Sequence, residues 1–241
     1  MGQKPSTPSP GTKIQVIGAG LPRTGTASFS AALNILLQGP IYHGGAQNTM
    51  GMPIEIKSWI QILHHWLSLN PQDGQVTLNL LKQRLDGYAA ITDAPGAQLV
   101  PELLELYPNT KVISTVRDPD AWIKNMDQVA SLATLWFLRV VLLPLPGMRH
   151  FVDYIDVLGG QWWRLYEAWM PHYQIYELDV EWLKQVVPED RLVFFHVSDG
   201  WGINDSEAIA QTAKYHIERG LARCAGILSV VSVAVAAVAM R

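Results

Sequence analysis

A glycine-rich segment near the start of the chain carries the residue types that bind anions. Residues 18–26 read GAGLPRTGT and follow a short apolar run at residues 14–18, so the segment should join a buried strand to a helix. In such a junction, backbone N–H groups and the positive end of the helix dipole point at the same place. Arg23 adds a planar guanidinium, and Thr24 and Thr26 add hydroxyl donors. The segment therefore predicts an oxyanion site; an ordinary strand-turn-helix junction is the alternative.

Two familiar nucleotide-binding loops fit this segment poorly. The dinucleotide fingerprint needs a third glycine three residues after the second, and an acidic residue about 20 positions later. Gly20 is not followed by a glycine at that spacing, and no Asp or Glu occurs before Glu55. A Walker A loop would have Lys after Gly25, where this chain has Thr26. Neither NAD chemistry nor ATP hydrolysis by the usual residues is therefore expected.

Two more polar motifs stand at the ends of predicted strands, where ligands of open α/β sheets bind. Arg117 follows the strand of residues 111–116 and precedes an Asp-Pro pair that can start a helix. It can bind a second anion, or it can pair with Asp118 or Asp120. Asp93 lies in the sequence Ile-Thr-Asp-Ala-Pro. It can take a proton from a substrate hydroxyl, or it can cap the helix that follows.

These motifs, in this order, resemble those of the sulfotransferases. More narrowly, GLPRTGT at residues 20–26, the TD-x-P motif around Asp93 and VRDP at residues 116–119 resemble the P-loop sulfotransferase-like family common in fungi. The resemblance implies transfer of a sulfonate group from PAPS (3′-phosphoadenosine 5′-phosphosulfate) to a hydroxyl group. No metal is required by this chemistry.

The resemblance also implies roles for individual residues. Arg23 would stabilise charge on the transferring sulfonate, and Asp93 would act as the base, where cytosolic sulfotransferases have His. Arg117 and Asn125 would hold the 3′-phosphate, with Asn125 standing where Ser is expected. The lysine that precedes the Thr-His pair of cytosolic enzymes is missing, because Ile91 stands there. The cofactor-binding residues implied in this way are Arg23, Thr24, Gly25, Thr26, Ala27, Arg117 and Asn125.

The acceptor is expected to be a small lipophilic, secondary-metabolite-like molecule. Trp122, Trp136 and Phe137 would hold it, and residues 132–145 would form an apolar flap or an interfacial helix. His43 is a further candidate for contact with the substrate. The other histidines considered show no metal-ligand spacing and are interpreted as core or pocket-wall residues: His64, His65 and His196.

Alternating strand and helix patterns predict the frame that positions these residues. The predicted strands are residues 14–18, 89–92, 111–116 and 192–197, and the predicted helices are residues 27–37, 54–69, 76–85, 99–106 and 120–138. The first helix should bury an apolar stripe formed by Phe29, Ala32, Leu33 and Leu36. The predicted fold class is α/β, a three-layer P-loop fold with a parallel sheet plus a C-terminal hydrophobic helix.

The two ends of the chain are predicted to lie outside this domain, which is assigned to residues 14–222. Residues 1–13 are rich in Pro, Ser, Thr and Gly and predict a disordered leader. Gly2 and Ser6 also match the pattern for N-myristoylation. Residues 223–241 are uncharged between their terminal arginines, which predicts a single-pass transmembrane tail anchor with the main domain in the cytosol. A buried last helix is the alternative.

Composition argues against several other functions. The net charge is -3 at pH 7, so no basic field is present to bind nucleic acid. The single cysteine, Cys224, excludes an intramolecular disulfide framework and a Cys-rich zinc site. After Gly202 the sequence lacks a helix and a loop expected from the family. The alternative prediction is therefore a catalytically silent or repurposed membrane-anchored member of the fold, acting in a biosynthetic pathway without PAPS.

Overall fold

A single parallel sheet forms the centre of the computed structural model, which describes residues 4–196. The strands are β1 (Val16–Gly18), β2 (Ile41–His43), β3 (Ala90–Thr92), β4 (Lys111–Val116) and β5 (Leu192–His196). Their order in the sheet is β2-β3-β1-β4-β5, and every neighbouring pair is parallel. Because β1 lies in the middle, the loop that follows it emerges between the ends of β3 and β4. The predicted α/β class with a parallel sheet is confirmed.

Helices connect the strands, as parallel pairing requires. They are α1 (Thr26–Leu37), α2 (Gly44–Met50), α3 (Pro53–Leu67), α4 (Pro71–Leu85), α5 (Val100–Leu106), α6 (Pro119–Ala133), α7 (Leu138–Leu142), α8 (Phe151–Tyr166) and α9 (Tyr173–Val186). Proline at the first turn starts α3, α4 and α6, where its missing N–H costs no hydrogen bond. In α4, the Asn70 side chain caps the helix by accepting from the Gln72 N–H, so this helix begins before the predicted residue 76.

Side chains alternate between the two faces of the sheet and build a separate core on each. Val16 is in register with Ala90, and both pack with Phe29 and Leu33 of α1. The next residues along these strands, including Ile17, point the other way and join a larger core that contains residues of α3, α4, α5, α8 and α9. Helices therefore cover both faces of the sheet.

Two further details of the predicted elements are wrong. The helix expected at residues 120–138 ends at Ala133, because the Thr134 N–H and hydroxyl both donate to the Ala130 carbonyl and close the last turn. Leu36 was expected in the buried stripe of α1, but it is 66% exposed. Residues 132–145, predicted to form an apolar flap or an interfacial helix, comprise the end of α6, the five-residue α7 and the turns around it.

The ends of the chain are only partly described. Within the predicted leader, the Ser9 N–H donates to the Gly87 carbonyl, and the Ser6 carbonyl accepts from Tyr88 and Gln47. These bonds hold that part of the leader against the domain. Among residues 4–196, no helix is long and apolar enough to cross a membrane. The predicted C-terminal helix and tail anchor at residues 223–241 lie outside the described residues, as do Gly2 and the end of the assigned domain.

Candidate functional site

The sequence-predicted site residues lie on loops that leave the same edge of the sheet. Gly18, at the end of β1, is in register with Thr92 of β3, which is in register with His43 of β2. Asp93 follows Thr92 directly, and Arg117 directly follows Val116, the last residue of β4. Carboxyl ends of parallel strands meet at one edge, so the four loops face a common region.

The loop between β1 and α1 fits tightly against β4. A Cβ atom on Gly20 would lie 2.1 Å from the Thr115 hydroxyl oxygen and 2.8 Å from the Thr115 backbone nitrogen. The Thr24 hydroxyl donates to the Leu21 carbonyl (2.7 Å) and lies 2.7 Å from the Thr115 hydroxyl oxygen. The Thr24 N–H also donates to Leu21. Thr24 therefore holds the loop in shape, and the amides free for a ligand begin at Gly25.

The first turn of α1 is open to an anion. Gly25 is its N-cap residue, in a left-handed conformation (φ 101°), and no side chain caps the turn. No acidic residue lies in that turn, so the unpaired N–H groups and the dipole keep their positive character. Arg23 precedes the turn, also with positive φ (71°), and is exposed. Amides and a guanidinium are therefore available at one helix N-terminus, as the sequence predicts for an oxyanion site.

Arg117 joins the loop after β4 to the loop after β1. One of its guanidinium nitrogens, Nη1, donates to the Arg23 carbonyl at 3.0 Å. The Tyr176 hydroxyl of α9 accepts from the Arg117 N–H (3.0 Å) and donates to the Arg117 carbonyl (2.6 Å). Asp118, the alternative partner, instead caps α6 by accepting from the Ala121 N–H. Arg117 is thus fixed at the backbone beside the anion loop and keeps several guanidinium N–H donors.

Asn125 and Trp122 lie on α6, the helix after Arg117. The Asn125 amide donates to the Ala121 carbonyl at 2.6 Å, so its donor is turned onto its own helix. Trp122 is fully buried, packs on Tyr176, and donates from its indole N–H to the Pro22 carbonyl. The expectation that Trp122 lines the acceptor site is therefore wrong: it supports the anion loop from beneath.

Asp93 is a buried carboxylate in a left-handed backbone conformation, with φ 70° and 8% exposure. Its Oδ2 accepts from the Gly45 N–H at 3.1 Å. A Cβ on Gly45 would lie 2.7 Å from Oδ2, and one on Gly44 would lie 2.0 Å from the Ala94 carbonyl oxygen. Only glycines allow this approach of α2. The helical turn at Gly96–Gln98 and α5 have no side-chain cap, so Asp93 does not cap the helix that follows it.

His43 faces Asp93 from the end of β2. Its Nδ1 accepts from the Ala46 N–H at 3.1 Å and caps α2. Because a backbone N–H can only donate, a neutral ring must carry its proton on Nε2, which lies 3.6 Å from Asp93 Oδ2. The His43 Nε2 and the second carboxylate oxygen, Asp93 Oδ1, are buried and have no hydrogen-bond partner among the described residues. This pair offers one donor and one acceptor to a ligand.

Two further residues complete the side of the site around Asp93, and the sequence did not single them out. Asn48 of α2 donates from Nδ2 to the Tyr154 hydroxyl at 3.2 Å, and Tyr154 donates to the Ala94 carbonyl at 3.5 Å. Burial, with the charge of Asp93 as a second cause, raises the pKa of Tyr154 and keeps its proton in place. The sequence signal that was available is the Gly-Gly pair after β2, which marks a close backbone approach.

The remaining candidates lie elsewhere. Trp136 packs edge-on against Phe137 and is 90% exposed, so it encloses no ligand in this conformation. His65 of α3 lies 2.8 Å from a carboxylate oxygen of Asp73, at a surface cleft between helices. His196 is an exposed residue at the end of β5. Within residues 4–196, no group of three His, Cys, Asp or Glu side chains is arranged to hold a metal ion.

Comparison with known proteins places this geometry in a family. The profile described as sulfotransferase domain matches residues 15–203. The chain is also similar to the Ava biosynthesis cluster protein M of Aspergillus versicolor, with 28% identity over 200 residues, covering 78% of this chain and 73% of that protein. The matched residues include the anion loop, Asp93 and Arg117. This chain therefore belongs to the sulfotransferase domain family and is a transferase by family membership.

Proposed function

We propose that this protein transfers a sulfonate group from PAPS to a hydroxyl group of a small lipophilic acceptor. The observation that carries the proposal is the pairing of two features at one sheet edge. The first turn of α1 is uncapped and acid-free, with Arg23 beside it. At the end of the neighbouring strand, the buried Asp93 has a free carboxylate oxygen. An anion and a hydroxyl can therefore be held side by side.

The loop after β1 supplies the electrostatic part of the reaction. The amides at Gly25, Thr26 and Ala27 would hold the 5′-phosphosulfate, since the start of α1 leaves them without helical partners. Arg23 would stabilise the negative charge that moves onto the departing phosphate, as fixed cations do in phosphoryl transfer. Thr24 contributes by anchoring the loop to β4. No step of this chemistry needs a metal.

Arg117 and Asn125 would hold the 3′-phosphate of PAPS. One Arg117 nitrogen is engaged with the Arg23 carbonyl, and the others remain to donate to phosphate oxygens, because a guanidinium has five N–H groups. The Asn125 amide must rotate away from the Ala121 carbonyl to take part. Contact between Arg117 and the Arg23 backbone would connect the two phosphate sites.

Asp93 would accept the proton of the acceptor hydroxyl. As the acceptor oxygen forms its bond to sulfur, the bond between sulfur and the 5′-phosphate oxygen breaks, and PAP leaves with that electron pair. The hydroxyl proton moves to Asp93 Oδ1, the oxygen without a partner, and then to solvent. The Gly45 N–H holds the other oxygen in place, and His43 Nε2 lies 3.6 Å from that oxygen. General bases positioned in this way contribute about 10²–10⁴-fold to rate.

The acceptor class and the membrane anchor are also proposals. The name of the Aspergillus versicolor relative refers to a biosynthesis cluster, which supports a small metabolite as acceptor. The uncharged residues 224–240 support a tail anchor. Full-length protein should sediment with membranes and remain there in high salt; recovery in the supernatant would overturn the anchor.

The transfer itself is tested with full-length protein, PAPS, and phenol or catechol as acceptor. We expect one PAP and one aryl sulfate per PAPS consumed, measured by mass spectrometry. Arg23→Ala should abolish most of the product, while Arg149→Ala, which removes an exposed arginine from the turn before α8, should leave it unchanged. Equal rates for these two variants would show that the loop after β1 does not act on the donor.

A further inference from the structure

The side of the site around Asp93 contains more unpaired polar atoms than proton transfer requires. His43 Nε2, Asp93 Oδ1 and Asn48 Oδ1 are all buried without a hydrogen-bond partner among the described residues. Their residues are 8%, 8% and 5% exposed. Buried polar groups are almost always paired in folded proteins. The proposed proton transfer uses Asp93 Oδ1, and His43 Nε2 lies beside the same carboxylate, whereas Asn48 Oδ1 is left without a role.

The hydrogen-bond directions around Asn48 are fixed by its neighbours. The Ala94 carbonyl can only accept, so the Tyr154 hydroxyl donates to it. The same hydroxyl must therefore accept from Asn48, which turns the Asn48 NH₂ group toward Tyr154. The Asn48 oxygen consequently remains as an acceptor, and only a hydrogen-bond donor can satisfy it.

Asn48 lies on the same face of α2 as the group that holds Asp93. Gly45, whose N–H binds Asp93 Oδ2, is three residues earlier in this helix, and residues at that spacing are neighbours on a helix surface. Tyr154 connects the two from the other side, because it bonds both Asn48 and the carbonyl of the residue after Asp93. The Asn48 side chain therefore lies on the same side of the site as Asp93, next to the Tyr154 hydroxyl.

We infer that Asn48 is a specificity-determining residue that accepts a hydrogen bond from a second donor on the acceptor molecule, next to the hydroxyl that is sulfonated. Catechols, vicinal diols and amino alcohols have this arrangement, whereas simple phenols do not. A site built to bind a polar hydrogen discriminates strongly against the analogue that lacks it, because its own buried group is then left unpaired. The inference rests on the proposed function.

Catechol, guaiacol and phenol test this inference at saturating PAPS. Guaiacol replaces the second hydroxyl of catechol with a methoxy group, which can accept but not donate a hydrogen bond. For the wild-type protein, we expect kcat/KM for catechol to exceed that for guaiacol and for phenol by about tenfold or more. Asn48→Leu should bring the ratio of catechol to guaiacol close to one, and Asn79→Leu, on the exposed surface of α4, should keep it.

The outcomes separate this inference from the proposed function. Equal kcat/KM values for catechol and guaiacol in the wild-type protein would overturn the role of Asn48, and so would an unchanged ratio in Asn48→Leu. Absence of turnover with all three phenols, while PAP still binds, would overturn it as well. Failure to bind PAP would overturn the proposed function first. The wild-type comparison needs no variant, so it holds even if Asn48→Leu fails to fold.

Discussion

The two halves of the site are built on opposite physical principles. The proposed donor half, formed by the loop after β1 and the start of α6, presents an exposed Arg23 and an uncapped helix N-terminus. The proposed acceptor half, around β2, α2 and Asp93, presents buried polar side chains, among them one carboxyl group. Under the proposed function, charge would attract the donor from solution, whereas buried polar atoms would select the acceptor by hydrogen-bond pattern. Affinity for PAPS and choice of acceptor should therefore be separable by mutation.

The largest effect is expected for Asp93→Asn, which breaks the acceptor half and leaves the donor half intact. The amide keeps an oxygen for the Gly45 N–H but takes up a proton poorly. We expect kcat to fall by about 10²–10⁴-fold, with the Kd for PAP unchanged in calorimetric titration. Asp127→Asn, on the exposed surface of α6, serves as the matched control. A parallel loss of PAP affinity in Asp93→Asn would show that the halves are not independent.

The second largest effect is expected in α9, the helix whose Tyr176 holds the Arg117 backbone. Asp179 of this helix is buried and accepts from the Tyr166 hydroxyl, and burial raises its pKa to about 7. The folded state therefore favours the protonated form of Asp179. The stabilisation that Asp179 contributes is complete below about pH 4 and is lost as pH rises to about 7. The difference in unfolding free energy between wild type and Asp179→Asn should fall across this range, by at most about 1.4 kcal/mol per pH unit.

Chemical denaturation at several pH values measures this difference. Asp86→Asn changes an exposed aspartate at the end of α4 and should not show the same trend. A difference between wild type and Asp179→Asn that is constant from pH 4 to pH 7 would contradict the assignment of Asp179 as a protonated support. A loss of PAP affinity as pH rises through 7 would extend the effect to the donor half, since Tyr176 of the same helix holds the Arg117 backbone.

A smaller loss is expected from Gly20→Ala, which tests how closely the donor loop must approach β4. The new Cβ would lie 2.1 Å from the Thr115 hydroxyl oxygen, so the loop or the strand must shift. We expect a destabilisation of about 2–3 kcal/mol, seen as a fall in Tm of roughly 5–10 °C. Gly74→Ala, in an open part of α4, should instead raise stability by about 0.5–1 kcal/mol. Equal Tm changes for the two variants would contradict the close contact at Gly20.

Arg117→Ala should produce the smallest effect. It tests which part of the donor Arg117 binds. Removing one charged contact to the 3′-phosphate should weaken PAP binding by about 10–100-fold, since such hydrogen bonds contribute about 1.5–3 kcal/mol. Adenosine 5′-phosphosulfate lacks the 3′-phosphate and should bind wild type and variant alike. Equal losses for both ligands would mean that Arg117 acts through the Arg23 carbonyl rather than on the 3′-phosphate.

The sequence predicts the donor half much better than the acceptor half. The anion loop is contiguous, and its glycines, Arg23 and threonines can be recognised without a fold. β4 was predicted with its observed bounds because every residue from Val112 to Val116 except Ser114 is β-branched. The acceptor half is assembled from β2, α2, β3 and α8, so its contacts depend on the sheet order. His43 was recognised only as a general candidate, and Asn48 and Tyr154 were missed.

At three places the local sequence pattern gives a wrong prediction or none. The seven-residue α2 has two glycines at its start, which helix propensity disfavours; it forms because His43 caps it and because the glycines allow its approach to Asp93. α8 contains Gly159 and Gly160 amid aromatic residues, so its period was not recognised. Trp122 was predicted to hold the acceptor, but it packs on Tyr176 and donates to the Pro22 carbonyl of the anion loop, contacts that depend on the tertiary fold.

Titration of the full-length protein with PAP tests the central claim, a phosphosulfate site at the start of α1, most directly. PAP carries both phosphates assigned to Arg117, Asn125 and the anion loop, and its binding does not depend on knowing the acceptor. We predict saturable binding at a single site with a micromolar Kd, measured by isothermal titration calorimetry, and no binding of adenosine alone. Absence of saturation up to about 1 mM PAP, a binding free energy weaker than about −4 kcal/mol, would contradict the account.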